Sequence, residues 1–424
     1  MKRRTFLAGA ASLAATGALS ACGGFGGSSG GDDGGKTQLT LFHRWPNEPN
    51  KSYFTKLVKD FEAKYPNIAV KVDAVLNDTY KDKVRVTVGS ANAPDVFFSF
   101  SGSFASSLVD TGNVMDLTDF TKTLSPTIIA NQLEPFQVDG KQMGLPITMN
   151  GKVFFYNKKI FNQHGIQTPT TWEELLQACK TLKSAGVTPI SYGSKEGWTV
   201  AHYVGTLNQR VLPAATILAD ADPKKGKFTD PGYVTALNFF KELFPYMTAN
   251  PNAVDHQHAR DAWLAGKTAM AYLETSEWSY ITDKSFQWGT FDFPSVPDGK
   301  GDQKGLTGAP EGFMISAKTK HADEAKKFLG FMLSLDESVA WTNRSGYLSP
   351  VTGAVDKSNA PTGVKALGHE IAQASQMTPW LDDFLDQRLV STYLAQGQSF
   401  IGGKITAEQV MAAVQKTAAQ VRAS

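Results

Sequence analysis

Tryptophans set among acids, amides and turn residues carry the most distinctive chemistry of this chain. There are eight, and four stand outside apolar runs. Trp45 lies in His43-Arg44-Trp45-Pro46-Asn47-Glu48, and Trp198 closes Gly193-Ser194-Lys195-Glu196-Gly197-Trp198. Trp278 follows Glu274-Thr275-Ser276-Glu277, and Trp380 precedes Leu381-Asp382-Asp383. Flat rings beside carboxylates and amides suit a polyhydroxylated ligand, which offers apolar C–H faces for stacking and hydroxyl edges for hydrogen bonds. Core packing is the alternative for any single ring, and it fits Trp172, which opens a helix ahead of an apolar stripe. The chemical argument therefore rests on the group.

Other candidate chemistry is sparser. Glu274 with Glu277, or Asp382 with Asp383, could serve a glycoside hydrolase if folding placed the two carboxyls across a glycosidic bond. His256-Gln257-His258 has i, i+2 spacing, which a helix puts on different sides, so it makes a poor metal pair. No phosphate-loop, His-Glu-x-x-His or Gly-x-Ser-x-Gly motif occurs. No metal and no cofactor is expected.

The elements that must position these residues alternate. Leu39–Phe42 reads as a strand. Phe54, Leu57, Val58, Phe61 and Tyr65 are spaced as on a helix over Ser52–Tyr65, which Pro66 stops. A strand at Ile68–Val75, a helix at Asp78–Ser90 and a strand at Asp95–Ser99 complete a βαβαβ unit, which predicts an α/β fold with a mostly parallel sheet. Val153–Tyr156 and Pro189–Ser191 read as further strands. Thr171 and Glu174 have the spacing of a capping box heading a helix to Ser184. Helices are also expected at Gly232–Phe244, His321–Leu335 and Thr406–Val421. Cys179 falls on an apolar helix side and reads as plain buried packing.

The chain has 424 residues with 42% hydrophobic content, enough for two or three domains. The formal net charge is +2, with three of the positives at Lys2, Arg3 and Arg4, so nucleic-acid binding is not indicated. Met1–Arg4 is a basic start, and Thr5–Ala18 is an apolar run too short for a ~20-residue membrane span. Leu19-Ser20-Ala21-Cys22 resembles a lipobox, which would make Cys22 the lipidated first residue of the mature protein. An ordinary secretory peptide with a chance cysteine is the alternative. Arg3-Arg4-Thr5-Phe6-Leu7 also looks like a twin-arginine signal. The Gly-rich segment at residues 22–36 reads as a flexible tether.

Ordered motifs along the chain carry a family resemblance. They are Phe61-Glu-Ala-Lys-Tyr65-Pro with Ala93-Pro-Asp-Val-Phe97, then Gly140-Lys-Gln-Met-Gly-Leu-Pro146 and Phe155-Tyr-Asn-Lys-Lys-Ile-Phe161. Pro169-Thr-Thr-Trp-Glu-Glu-Leu175, Gly266-Lys-Thr-Ala-Met270, Gly312-Phe-Met-Ile-Ser316 and Ile405-Thr-Ala-Glu-Gln-Val410 follow. Together they resemble the extracellular solute-binding proteins of family 1, in the subgroup of maltose-binding-protein-like sugar binders that deliver carbohydrate to ABC importers. The resemblance implies a two-lobe periplasmic-binding-protein fold with a hinge and an interlobe ligand cleft. Its expected crossings, near 146–151, 267–271 and 316–321, divide the chain into lobe one at 37–147 and 269–318 and lobe two at 148–268 and 319–424.

Carried over by motif position, the implied ligand contacts are Ser99, Phe100 and Ser101 after the third strand, Asn150 after the first crossing, and Trp278. Asp382 with Trp380 stands where sugar-binding relatives place an acid and a ring. Trp45 and Trp198 join them from the tryptophan pattern. Glu311 either reaches the cleft or forms a hinge salt bridge. Few Arg or Lys fall at these positions, which disfavours a phosphorylated or acidic ligand. The resulting expectation is a monomeric, non-enzymatic, lipid-anchored receptor outside the cytoplasmic membrane. It would hand a carbohydrate, preferably an oligosaccharide, to ABC permease subunits. The alternatives are another solute in the same fold, such as a polyamine or glycerol phosphate, or a glycoside hydrolase.

Overall fold

The first sheet forms where the sequence alternates strand and helix. Strand β1 (Thr37–His43) is followed by helix α1 (Asn50–Lys64), strand β2 (Ile68–Ala74), helix α2 (Asn77–Gly89), strand β3 (Val96–Phe100) and helix α3 (Gly102–Val109). In α1, Tyr53, Phe54, Leu57 and Phe61 recur at helical spacing and are buried, so one apolar stripe faces the sheet. The computed structural model describes residues 35–124, 127–374 and 377–424. The expected signal segment, Cys22 and nearly all of the Gly-rich tether lie outside the described residues.

Strand β1 pairs parallel with both β2 and β3. Beyond β3 the sheet is completed by Glu311–Ile315 and then Leu145–Thr148, each pairing antiparallel with its neighbours. A second sheet has the order 288–291, 152–157, 268–274, 188–191, and only its last pair is parallel. Both sheets are therefore mixed, where a mostly parallel sheet was expected. The cause is re-entry: strand 311–315 comes back from the second sheet and runs against β3.

Each sheet has its own apolar core, and the cores correct the expected lobe boundaries. Strand 268–274 is buried between 152–157 and 188–191, so the 269–318 segment starts in the second lobe and joins the first only at 311–315. The helices at 322–332 and 335–345 bury Phe328, Leu329 and Trp341 in the first core, where Phe328 meets Phe61 edge-on at 4.9 Å. Only from about Trp380 does the chain rejoin the second core, through Leu381, Leu385, Leu389 and the helix Ala407–Arg422. The crossing near 146–151 is where strand 145–148 of the first sheet gives way to strand 152–157 of the second. A third cluster around Met149, Trp263, Leu348 and Ile371 fills the junction.

Local signals hold where they are local. Thr171 and Glu174 form both bonds of a capping box at the helix 172–184, and Trp172 is buried in the second core. Among the described residues no helix is long and apolar enough to cross a membrane.

Candidate functional site

Residues just past the carboxyl ends of β1 and β3 open onto a cavity, the position where open α/β sheets bind ligands. Arg44 follows β1, and Phe100 ends β3. Across from them stand Trp198 and His202 on the helix Trp198–Val211, with Trp380 and Asp382. This chamber holds about 270 Å³. A second chamber of about 470 Å³ shares Arg44, Asn77, Glu196, Trp198 and Glu274 with it and extends to Trp45, His256, Tyr280 and Tyr347. Together they match the size of clefts that enclose small ligands, ~300–1,000 Å³.

Buried cations organise the floor. Arg44 donates to Asn77 Oδ1 at 2.7 Å, to Glu311 Oε2 at 2.5 Å and to the Tyr347 hydroxyl at 3.1 Å. Its guanidinium lies 4.8 Å from the Trp45 ring centre. Burial disfavours its charge, but Glu311, Tyr347 and Glu274 outweigh burial and raise it above its ordinary range. Burial in turn pushes Glu311 up to about 7 against the pull of Arg44, with Glu274 and Asp383 adding to the rise. A β-bulge between Glu311 and Gly312 lets this carboxylate leave the strand register.

Lys81 on α2 reaches the short helix Leu381–Phe384, donating to Asp383 Oδ1 at 2.7 Å and to Asp382 Oδ2 at 3.3 Å. This joins the two lobes, as do the bonds from Ser103 Oγ on α3 to the carbonyls of Asp383 and Leu385. Burial disfavours every charge here. Asp382 nevertheless stays below the usual carboxylate range because Lys81 and His202 face it. Asp383 is pushed up to about 6 by burial, opposed by Lys81 and reinforced by Asp382.

An aromatic wall completes the first chamber. The His202 ring stacks on Trp380 at 4.2 Å and leans on Trp198 at 4.9 Å. Lys152 lies behind it, with Nζ 2.7 Å from His202 Nδ1. Burial lowers both groups, Lys152 to about 8 and His202 to about 4, the latter helped by the lysine's charge.

Of the residues expected at the site, Phe100, Trp198, Glu311, Trp380 and Asp382 line the first chamber, and Trp45 and Trp198 line the second. Glu311 lines the cavity, and its ion pair is with Arg44, which follows β1 of the same sheet, and does not bridge the hinge. Asn150 lines neither chamber; its amide donates to Glu274 Oε2 at 2.6 Å and so orients a carboxylate that does. Ser99 and Ser101 are buried away from both, and Ser99 bonds the Phe100 carbonyl. Trp278 is displaced as well: it packs on the third cluster, and its indole donates to the Gly346 carbonyl at 2.9 Å. The tight turn Thr275–Tyr280, which begins right after Glu274, turns this ring away from the cavity.

Other side chains at the site were not foreseen. Arg44, Lys81, Arg85 and His202 line the first chamber beside Asp383, which the sequence offers only as one of an acid pair with Asp382, so the expectation of few cations there is corrected. His202 had a readable signal, since it lies one helical turn after Trp198. Lys81 had none, because its partner is 301 residues away. Glu274 and Glu277 do not act as a facing acid pair. They cap one turn reciprocally, and Glu277 turns to His256 and Arg260, which hold it down near about 2 against burial. His256 and His258 take separate partners, Glu277 and Asp255.

Comparison with known proteins agrees with this architecture. The pattern of the bacterial extracellular solute-binding protein family matches residues 45–337. A multiple sugar-binding protein of Streptococcus mutans is 27% identical over 328 residues, 72% of this chain and 74% of that one. A diacetylchitobiose-binding protein of Streptomyces coelicolor is 26% identical, covering 74% and 75%. Among solved structures, a chitin oligosaccharide binding protein superimposes with a TM-score of 0.83 at 26% identity, covering 93% of this chain and all of that one. With two sheets flanking a lined cleft and a match over most of its length, the chain belongs to the bacterial extracellular solute-binding protein family.

Proposed function

We propose that this protein captures a neutral oligosaccharide in the cleft and delivers it to the membrane subunits of an ABC importer. The observation that carries the reading is the pairing of ring faces at Trp198, His202 and Trp380 with cations already matched to carboxylates. Stacked rings take sugar C–H faces, and the remaining donors and acceptors take hydroxyls. Relatives that bind sugars support the choice of ligand class. The ligand contacts are Phe100, Trp198, Glu311, Trp380 and Asp382, with Arg44, Lys81, His202 and Glu274 added and Trp45 in the second chamber. Asn150 supports Glu274. Ligand touching both lobes favours the closed form, which is the state a permease would read. Lipidation at Cys22 would hold the receptor at the outer face of the cytoplasmic membrane. It acts as a monomeric receptor without catalysis.

The test is a thermal-shift panel of xylo-, chito- and malto-oligosaccharides, polyamines and glycerol phosphates. Ligand bound only to the folded state adds about 2.7 kcal/mol at a hundredfold excess over Kd. Stabilisation by one saccharide class is expected. Stabilisation only by a polyamine or glycerol phosphate overturns the carbohydrate reading, and release of shortened sugar from a bound oligosaccharide overturns the non-enzymatic one.

A further inference from the structure

His202 Nε2 and Asp382 Oδ1 face each other at 3.6 Å, too far for a hydrogen bond. Both residues line the first chamber and are more than nine-tenths buried, at 4% and 7% exposure. Asp382 Oδ1 has no hydrogen-bond partner, while Oδ2 of the same carboxylate meets Lys81. The other imidazole nitrogen, Nδ1, is 2.7 Å from Lys152 Nζ. An ammonium has three hydrogens and no lone pair, so it donates, and Nδ1 must accept. That leaves the ring hydrogen on Nε2, aimed at the carboxylate.

From this geometry we infer a hydroxyl-specific subsite: one ligand hydroxyl accepts from His202 Nε2–H and donates to Asp382 Oδ1, with Lys152 as the positioning residue that sets the His202 tautomer. Two atoms 3.6 Å apart can both lie about 2.8 Å from one oxygen. Only a group that accepts and donates at once satisfies both. An ammonium cannot accept from Nε2–H, and a carboxylate has no hydrogen for Asp382 and meets its charge. An ether oxygen accepts but leaves Asp382 unpaired. The inference deepens the carbohydrate reading and rests on it. The groups around the imidazole are consistent with a neutral ring: Lys152 and burial oppose its protonation, and Asp382 and Glu274 favour it less strongly.

The experiment uses the full chain with Cys22→Ser, with nitrogen-15 NMR of the histidine rings and calorimetric titration of xylotriose, maltotriose and diacetylchitobiose. In the ligand-free protein at pH 7, His202 should be the Nε2–H tautomer; an Nδ1–H or doubly protonated ring overturns the inference whatever binds. In Lys152→Met, which keeps the side-chain bulk but leaves Nδ1 without its donor, the Nδ1–H tautomer should appear, a change that lost packing alone does not produce, and His202 should titrate at higher pH than in the parent. His202→Phe keeps the ring on Trp380 but removes the donor. It and Asp382→Asn should each weaken the bound saccharide about 10-fold or more, with the double variant no worse than about the stronger single one. Saccharide binding that His202→Phe leaves within twofold sinks the subsite while sparing the carbohydrate reading. If the parent binds none of the three sugars and is stabilised only by a charged solute, both fall together.

Discussion

Replacing Lys81 with methionine removes the one ammonium that Asp382 and Asp383 share across the lobes, leaving adjacent carboxylates only 7% and 3% exposed. Asp382 keeps His202 beside it, so Asp383 is the group that must take up a proton. Breaking a buried pair by deleting one partner costs about 3–5 kcal/mol. The Lys81 side chain is 26% exposed, so the lower end applies, about 3 kcal/mol at alkaline pH. One pKa unit is about 1.4 kcal/mol, so this moves Asp383 from about 6 to about 8 in the variant. An acid whose folded pKa exceeds its unfolded value destabilises the fold, and the penalty grows with pH until the folded pKa is passed. For Asp383 that plateau begins near pH 6 in the parent and near about pH 8 in the variant. Their stabilities should therefore run nearly parallel below pH 6 and diverge between 6 and 8. Urea denaturation from pH 5.5 to 8.5 measures this, because urea leaves the charges unscreened. A stability loss equal at pH 5.5 and 8.5 would refute the reasoning and leave only the packing of Lys81 over Phe100, at 4.4 Å, as its role.

Three further outcomes are expected. Trp198→Ala should weaken saccharide binding about 10-fold, whereas Trp278→Phe should leave affinity within twofold and lower stability by about 1 kcal/mol through the lost bond to Gly346; calorimetry and urea denaturation read the two. Gly312→Ala should destabilise by about 3 kcal/mol, the upper end for overpacking. Its Cβ would lie 2.0 Å from the Leu145 carbonyl oxygen, a backbone atom that cannot step aside. A loss under about 1 kcal/mol would contradict that. In a Cys22→Ser chain, Cys179 should react with a disulfide reagent only as fast as the protein unfolds, since burial pushes its thiol up to about 12.

Much of the local architecture was legible, because its causes lie within a few residues of one another. The stripe Phe54, Leu57, Phe61 and the capping pair Thr171 and Glu174 each specify a helix where the structure has one. Sheet membership was not legible in the same way. The motif Gly266–Met270 is compatible with a crossing into lobe one, and only the pairing of 268–274 with 152–157, more than a hundred residues earlier, puts that strand in the second sheet. The site divides similarly. Trp380 and Asp382 could be proposed because rings and acids stand together in sequence. Trp278 looked equivalent, yet a single turn after Glu274 directs it to Gly346 instead. Arg44 and Lys81 were invisible because their meaning depends on Glu311, Asp382 and Asp383, all more than 250 residues away.

Those cations change the reason for expecting a neutral ligand. A scarcity of Arg and Lys near the site suggested that phosphates would be disfavoured, but the cleft does contain Arg44 and Lys81. We propose that an anion is disfavoured because both are already held by carboxylates more buried than themselves, while Arg85, which also lines the chamber, pairs at 3.8 Å with the exposed Asp82. A phosphate drawing Arg44 away from Glu311 would leave that carboxylate buried and unpaired, a penalty of several kcal/mol that the new contact must first offset. A hydroxyl breaks none of these pairs. In the proposed subsite it meets the valence left open at Asp382 Oδ1, which has no partner among the described residues. The ion pairs thus act as fixed scaffolding that holds uncharged hydrogen-bonding positions in place before ligand arrives, so that little reorganisation opposes binding. The selectivity we propose for the cleft therefore rests on the pairing of Arg44 and Lys81, and the number of charges matters less.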